Sequence, residues 1–500
     1  MSTCKKTADA VIVGAGITGL AIAREMLKRG ASVIIVDPNA PMTGTSAYST
    51  ECYRDVWHDL SMAKLVSRSI DLLEQLSAES NNAFGFDTHQ HGYLFVSNTP
   101  GNAATPDHHF NQFAAGSTVA ATSVRHHSNI ECNQHKDSLL QPTSNDGIDL
   151  LWGQDVISKS FPHVKAQSAL HARRAGWIDA QQLGAYLVQD IQHRGGLFVK
   201  DEVVSMQCDP ADHNRVSSVT LKHSCDGTIA TPVVVNAAGP FSGALTKMLV
   251  PSLPDSNFTN ELHCKVIFKD SEDVVPSHSP MVIVGDATTI PWQPEEQEWI
   301  DDLRSRPTEA EEAGLSKWLA DGLPSGCHVR PASNGWNVML WEYAHHDKPL
   351  VFKEGDGDSD PTMPLFYETH VTPHVDPMYA EMTMRAMSCF VPELAHYVGA
   401  IGGKDVTTDG GYYTYAPDRM PVIGKVDAVP GYVMASGVAG YGIMAAMGVA
   451  ELICDEQEGT STIDSQFNPN RLFDAELREK MWAGIKEKEE SMAEAVGGSL

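Results

Sequence analysis

The sequence predicts an α/β chain, α+β overall, that opens on a parallel βαβ unit and turns later to a mostly antiparallel sheet. Three observations point there. An apolar stretch (residues 10–13), a glycine turn and a helical pattern (18–29) lead to a stop at Gly30 and a second apolar stretch (32–36) ending on Asp37. Residues 179–196 read as an amphipathic helix, with Asp179 as cap, Leu183, Tyr186, Leu187 and Ile191 on one face, and Gly195-Gly196 as the stop. Residues 262–350 break into separated strand-like runs, among them 265–268, 281–284 and 337–341.

The remaining elements follow in order. A helical pattern spans 62–77 and a strand 91–96, and then comes a polar, His-rich region at 98–149 whose histidines have no metal-ligand spacing. Short strands are expected at 197–200, 216–222 and 233–236. An acidic helical insertion at 294–323 interrupts the antiparallel runs, and the last 40 residues read as a solvated, mixed-charge helical extension. The apolar stretch 437–453 has 17 residues, four glycines and Glu451, which suits a buried helix rather than a membrane span. Residues 356–367 superficially resemble a calcium loop, but Pro361 and Tyr367 occupy the positions that need glycine and glutamate.

Composition narrows the function. At 42% hydrophobic and 20% charged, the 500 residues suit a soluble globular chain of two or three domain-sized units. With 64 acidic against 36 basic residues, the formal charge of −28 argues against nucleic acid as a partner and disfavours an anionic membrane surface. Nine scattered cysteines without a C-x-x-C pair suggest neither disulfides nor zinc, no metal is expected, and the first ten residues carry no secretory signal. A reducing, cytoplasmic setting is the expectation.

The chemistry begins at Gly14-Ala15-Gly16-Ile17-Thr18-Gly19, which follows a strand and opens a helix. Gly14 allows the tight turn, Gly16 lets backbone approach a pyrophosphate, and Gly19 lets the helix pack on the sheet. The helix N-terminus at Ile17 and Thr18 faces the anion, and Asp37, 23 residues beyond Gly14, can accept hydrogen bonds from an adenosine ribose. A purely structural βα turn is the competing account. The unit is Rossmann-like, and two further glycine segments, Asn236-Ala237-Ala238-Gly239 and Gly437 to Met444, need a role that a nicotinamide dinucleotide would not give them.

With these segments and 415–424 (Tyr415-Ala416-Pro417-Asp418 through Pro421 to Gly424), the chain resembles the D-amino-acid oxidase superfamily, in the branch of sarcosine oxidase, glycine oxidase and dimethylglycine dehydrogenase. The resemblance implies FAD, held also by Thr45, Ser46, Val203, Ala238, Gly239, Gly437, Gly440, Tyr441, Gly442 and Ile443. It implies a discontinuous FAD-binding domain (1–90, 163–248, 397–460), a substrate domain (91–162, 249–396) and a helical extension (461–500). Backbone amides at 440–443 would face the negative charge of reduced flavin.

By the same resemblance Arg54 falls on the arginine that holds the substrate carboxylate, a task suited to a planar bidentate fork. His328, Arg330, Trp341 and Tyr343 are candidates to face the ring, with ordinary packing as the alternative for each; Tyr343 matches the family's active-site histidine. The family's covalent flavin cysteine and histidine fall on Gly411 and Tyr48, which implies noncovalent FAD. Its carboxylate lysine falls on Met444 and its oxygen-promoting lysine on Met339, which leaves open an acceptor other than O2. The implied reaction oxidises an amine or amino-acid C–N bond. Oxidation of a 2-hydroxy acid, or a non-catalytic flavin-bearing scaffold, are the alternatives.

Overall fold

The computed structural model describes residues 6–57, 59–99, 124–127, 147–212, 214–224, 227–251, 258–341, 375–400, 402–460, 463–474 and 476–477. Two large sheets organise them. The first has six strands in the order Leu197–Lys200, Val33–Asp37, Ala10–Val13, Val234–Asn236, Tyr432–Ser436, Val422–Lys425, all neighbours parallel except the last pair. Its central strands Val33–Asp37, Ala10–Val13 and Tyr432–Ser436 are rich in buried apolar residues because both faces are covered. Ala10 and Ile12 turn to the helices Ile17–Lys28, Ala180–His193 and Gly442–Glu458, while Val11 and Val13 turn to the small sheet built on Val203–Asp209 and Arg215–Leu221.

Local signals start and stop these elements. Asp179 caps its helix by accepting the Gln182 amide at 2.8 Å, and Asp59 caps Leu60–Ser80 by accepting that of Met62. Gly459, in the left-handed conformation, ends Gly442–Glu458. That helix is the apolar stretch foreseen as buried. Among the described residues no helix is long and apolar enough to cross a membrane.

The second sheet has nine strands, in the order Val406–Tyr415, Thr259–Lys269, Trp336–Leu340, His328–Pro331, Met281–Val284, Tyr93–Ser97, Ser168–Ala172, Ile148–Trp152, Val124–His127. It is mostly antiparallel, as expected, with parallel pairing only between Met281–Val284 and Tyr93–Ser97 and between Val124–His127 and Ile148–Trp152. The helices Gln297–Arg304 and Pro307–Glu312, within the expected insertion, and Tyr379–Ser388 cover its outer face. Its inner face carries one continuous row, fixed by register: Asp409, Lys265, Leu340, His328, Ile283, Phe95.

Several expectations meet a different structure. Ser168–Ala172 and Val406–Tyr415 lie within segments assigned to the FAD-binding domain, yet both pair in the nine-stranded sheet. Strand-like patterning does not say which sheet a strand joins. The described start of the C-terminal extension is not a solvated helix: Phe467 and Leu472 are buried, and Arg471 grips Asp418 with two hydrogen bonds of 2.8 and 3.1 Å. Its remainder, the 356–367 loop and most of the His-rich region fall outside the described residues.

Asn236 ties the third parallel segment together. Fully buried, it donates to Ser242 O, Thr246 Oγ1 and Tyr432 Oη and accepts from the Ala238 amide, which shapes the turn beyond it. Asn236→Ala is expected to cost about 2–3 kcal/mol by leaving buried partners unpaired, read as a shift in the urea midpoint. An unchanged midpoint would show that these bonds are replaceable.

Candidate cofactor and substrate site

A cleft runs along the carboxyl ends of the parallel strands, the position where open α/β sheets bind ligands. It encloses about 1360 Å³ of space, its open mouth included. Gly14, Gly16, Ile17, Thr18, Asp37, Thr45, Ser46, Val203, Ala238, Gly239, Gly437, Gly440, Gly442 and Ile443 line it. Gly19 and Tyr441 do not. Gly19 packs under the turn, where a Cβ would meet Gly14 O at 2.0 Å, and Tyr441 packs edge-on against Trp57.

The cleft suits a large anionic dinucleotide. Two helices, Ile17–Lys28 and Gly442–Glu458, begin at it with no side-chain cap, so backbone amides and the positive ends of two dipoles remain available there. The Ile17 amide donates to Ser46 Oγ, while Thr45 Oγ1 donates to Tyr412 O and ties the cleft floor to the second sheet. Asp37 accepts the Ala15 and Asn39 amides at 2.8 Å, one on each oxygen, and each oxygen keeps capacity for a further donor. Burial pushes its carboxyl pKa up against the pull of those amides. Such a lining suits FAD: the amides opening the first helix would hold its phosphates, Asp37 would accept from its ribose, and the amides at 440–443 would face the charge that the reduced ring develops.

Tyr412, Tyr413 and Thr414 also line the cleft, and a Cβ on Gly440 would lie 2.8 Å from the Tyr413 ring. Their signal in the sequence is the run Gly410-Gly411-Tyr412-Tyr413, where paired glycines precede two aromatic residues. Gly411 and Tyr48 are neighbours: a Cβ on Gly411 would lie 3.0 Å from Tyr48 Cβ.

Arg54 ends the short strand Cys52–Arg54, paired with Ala175–Trp177. Its guanidinium carbon lies 4.5, 5.4 and 5.8 Å from the ring centroids of Trp57, Phe95 and Tyr93. Its Nε is buried with no hydrogen-bond partner, and no carboxylate pairs with it among the described residues. Trp57 touches Tyr441 at 4.7 Å, which links this cage to the 440–443 segment.

Of the other candidates, His328 lies on the inner face, with Nδ1 donating to Gly326 O at 2.9 Å. Arg330 is committed: it donates to Thr50 O, Pro331 O and Glu51 Oε2. Trp341 is buried in the outer core and donates to Pro324 O, while Tyr343 lies outside the described residues. Met444 packs among the helices. Met339 faces the outer core, away from the cleft, so its being a methionine carries no weight about the electron acceptor.

Lys265 was missed because it sits in an otherwise ordinary strand. It is 7% exposed, donates from Nζ to Ser49 O at 3.0 Å and lies 3.6 Å from Asp409 Oδ1. Glu51 was missed too. It holds φ +65°, a left-handed conformation that costs a non-glycine residue about 1–3 kcal/mol, and burial raises its carboxyl pKa even though Arg330 pulls it down.

The model of the DAO family, described as FAD dependent oxidoreductase, matches residues 9–456. No curated protein matches the chain. Among solved structures, L-proline dehydrogenase from P. horikoshii is 18% identical, with a TM-score of 0.62 over 93% of this chain and 98% of that one. Glycine oxidase from Geobacillus kaustophilus is 16% identical (TM-score 0.62, 93% and 99% covered), and L-amino acid deaminase from Proteus vulgaris 14% (0.62, 93% and 97%). At these identities the structures show a shared fold. The family match reaches from the first parallel strand to the last helix, and it places the protein in the DAO family of FAD-dependent oxidoreductases.

Proposed function

We propose that the protein oxidises the C–N bond of an amino acid or N-alkyl amino acid, giving an imine that hydrolyses. The observation that carries this reading is Arg54, a caged guanidinium with a buried, unpartnered Nε and no ion pair among the described residues. A buried charge without a partner is costly, and a substrate carboxylate would supply one bidentately. The rings of Trp57, Phe95 and Tyr93 stand 4.5–5.8 Å from its guanidinium carbon, an apolar surround that strengthens such a pair.

FAD, when bound, supplies the hydride acceptor. The Nδ1–H of His328 donates to Gly326 O, which fixes the ring on the inner face of the sheet. The proteins of like fold act, by name, on proline, glycine and L-amino acids, which supports a substrate with a carboxylate beside the amine. Reoxidation falls to O2 or another acceptor. The six described cysteines are free thiols, which supports a reducing, cytoplasmic setting.

The test is anaerobic. With N-methyl, D- and L-amino acids and 2-hydroxy acids added in turn, an amine is expected to bleach the flavin band near about 450 nm. Bleaching by a hydroxy acid alone would move the reaction to that class. For the amine that works best, Arg54→Lys is expected to raise the half-saturating concentration about 30- to 150-fold, equivalent to about 2–3 kcal/mol of charge-assisted hydrogen bonding. Unchanged saturation would remove Arg54 from the substrate site. FAD is expected to be noncovalent, since Gly411 has no side chain to attach it and Tyr48 stands where the family has histidine. Acid precipitation should leave all flavin in the supernatant; flavin in the pellet would reverse this assignment.

A further inference from the structure

Three consecutive residues of one loop are held by two buried cations from the nine-stranded sheet. Lys265 Nζ donates to Ser49 O at 3.0 Å, Arg330 Nε to Thr50 O at 2.9 Å, and Arg330 Nη2 to Glu51 Oε2 at 3.1 Å. The two cations are 7% and 3% exposed and come from the inner faces of different strands, Thr259–Lys269 and His328–Pro331. Glu51 is held from its other side as well. Its Oε1 accepts the Ala180 amide at 3.2 Å and its carbonyl accepts that of Ile178 at 3.0 Å.

This short loop joins the two halves of the site. Before it lies the turn Thr45–Tyr48, with Thr45 and Ser46 in the cleft wall; Ser49 also lines the cleft, and Arg54 stands three residues after Glu51. A left-handed glutamate persists only where its surroundings over-determine it, and the grips described do so. Neither cation is free for substrate in this arrangement.

We propose that Arg330, with Lys265, is a positioning residue: by gripping residues 49–51 it sets the loop that shapes the flavin end of the cleft. The proposal depends on bound FAD and not on the nature of the substrate. Its probe is therefore FAD itself, titrated into apoprotein, together with the visible circular dichroism of the bound flavin and the melting temperature of the apoprotein.

Arg330→Met and Glu51→Gln are each expected to weaken FAD binding about tenfold, the loss of roughly one charge-assisted hydrogen bond, and to alter the flavin dichroism. Arg330→Lys, which keeps the charge but cannot serve Thr50 and Glu51 together, should fall between wild type and Arg330→Met. The double variant should be no worse than the weaker single. A lower apoprotein melting temperature with wild-type FAD affinity and dichroism would overturn the proposal and leave an ordinary structural ion pair. Should Arg330→Met not fold, Glu51→Gln decides alone, because it removes one charge at constant size.

Discussion

Between Gly19 and the Gly14 carbonyl oxygen there is room for a hydrogen and nothing larger: a Cβ would lie 2.0 Å from that oxygen. Gly14 is pressed in turn against Ala237, where a Cβ would meet the carbonyl oxygen at 2.3 Å. These two backbone contacts draw the first helix, the first strand and the 236–239 turn into one edge. The helix therefore starts at the cleft, where its first amide meets Ser46 Oγ, and the Asn236 network shapes the opposing turn. Any side chain at Gly14 or Gly19 would separate the parts that form the cradle.

The second sheet completes the site by dividing its residues between two faces. Alternation sends Cys264, Val266, Met339 and Trp341 outward into an apolar core and Lys265, Leu340 and His328 inward. Burying Lys265 and Arg330 costs their hydration, and the structure offsets this locally with Glu51, Asp409 and the carbonyls of Ser49 and Thr50. Asp409 lies 3.6 Å from Lys265, and burial raises its carboxyl pKa even though the ammonium pulls the other way. The inner face is thus polar where it meets the cleft and aromatic where it meets Arg54.

Short-range patterns in the sequence settle the βαβ start, the capped helix after Asp179, strands such as Tyr93–Ser97 and Met281–Val284, and the buried 442–458 helix, because each rests on the period of apolar residues and on local stop signals. The glycine segments also name many of the residues that come to line the cleft, since close backbone approach leaves its mark in residue type. Tertiary structure alone decides which sheet Ser168–Ala172 and Val406–Tyr415 join, that Met339 turns away from the cleft, and that Lys265 and Arg330 converge on residues 49–51. Pairing partners and the meeting of side chains more than 200 positions apart depend on long-range register and burial, which no local window of residues encodes.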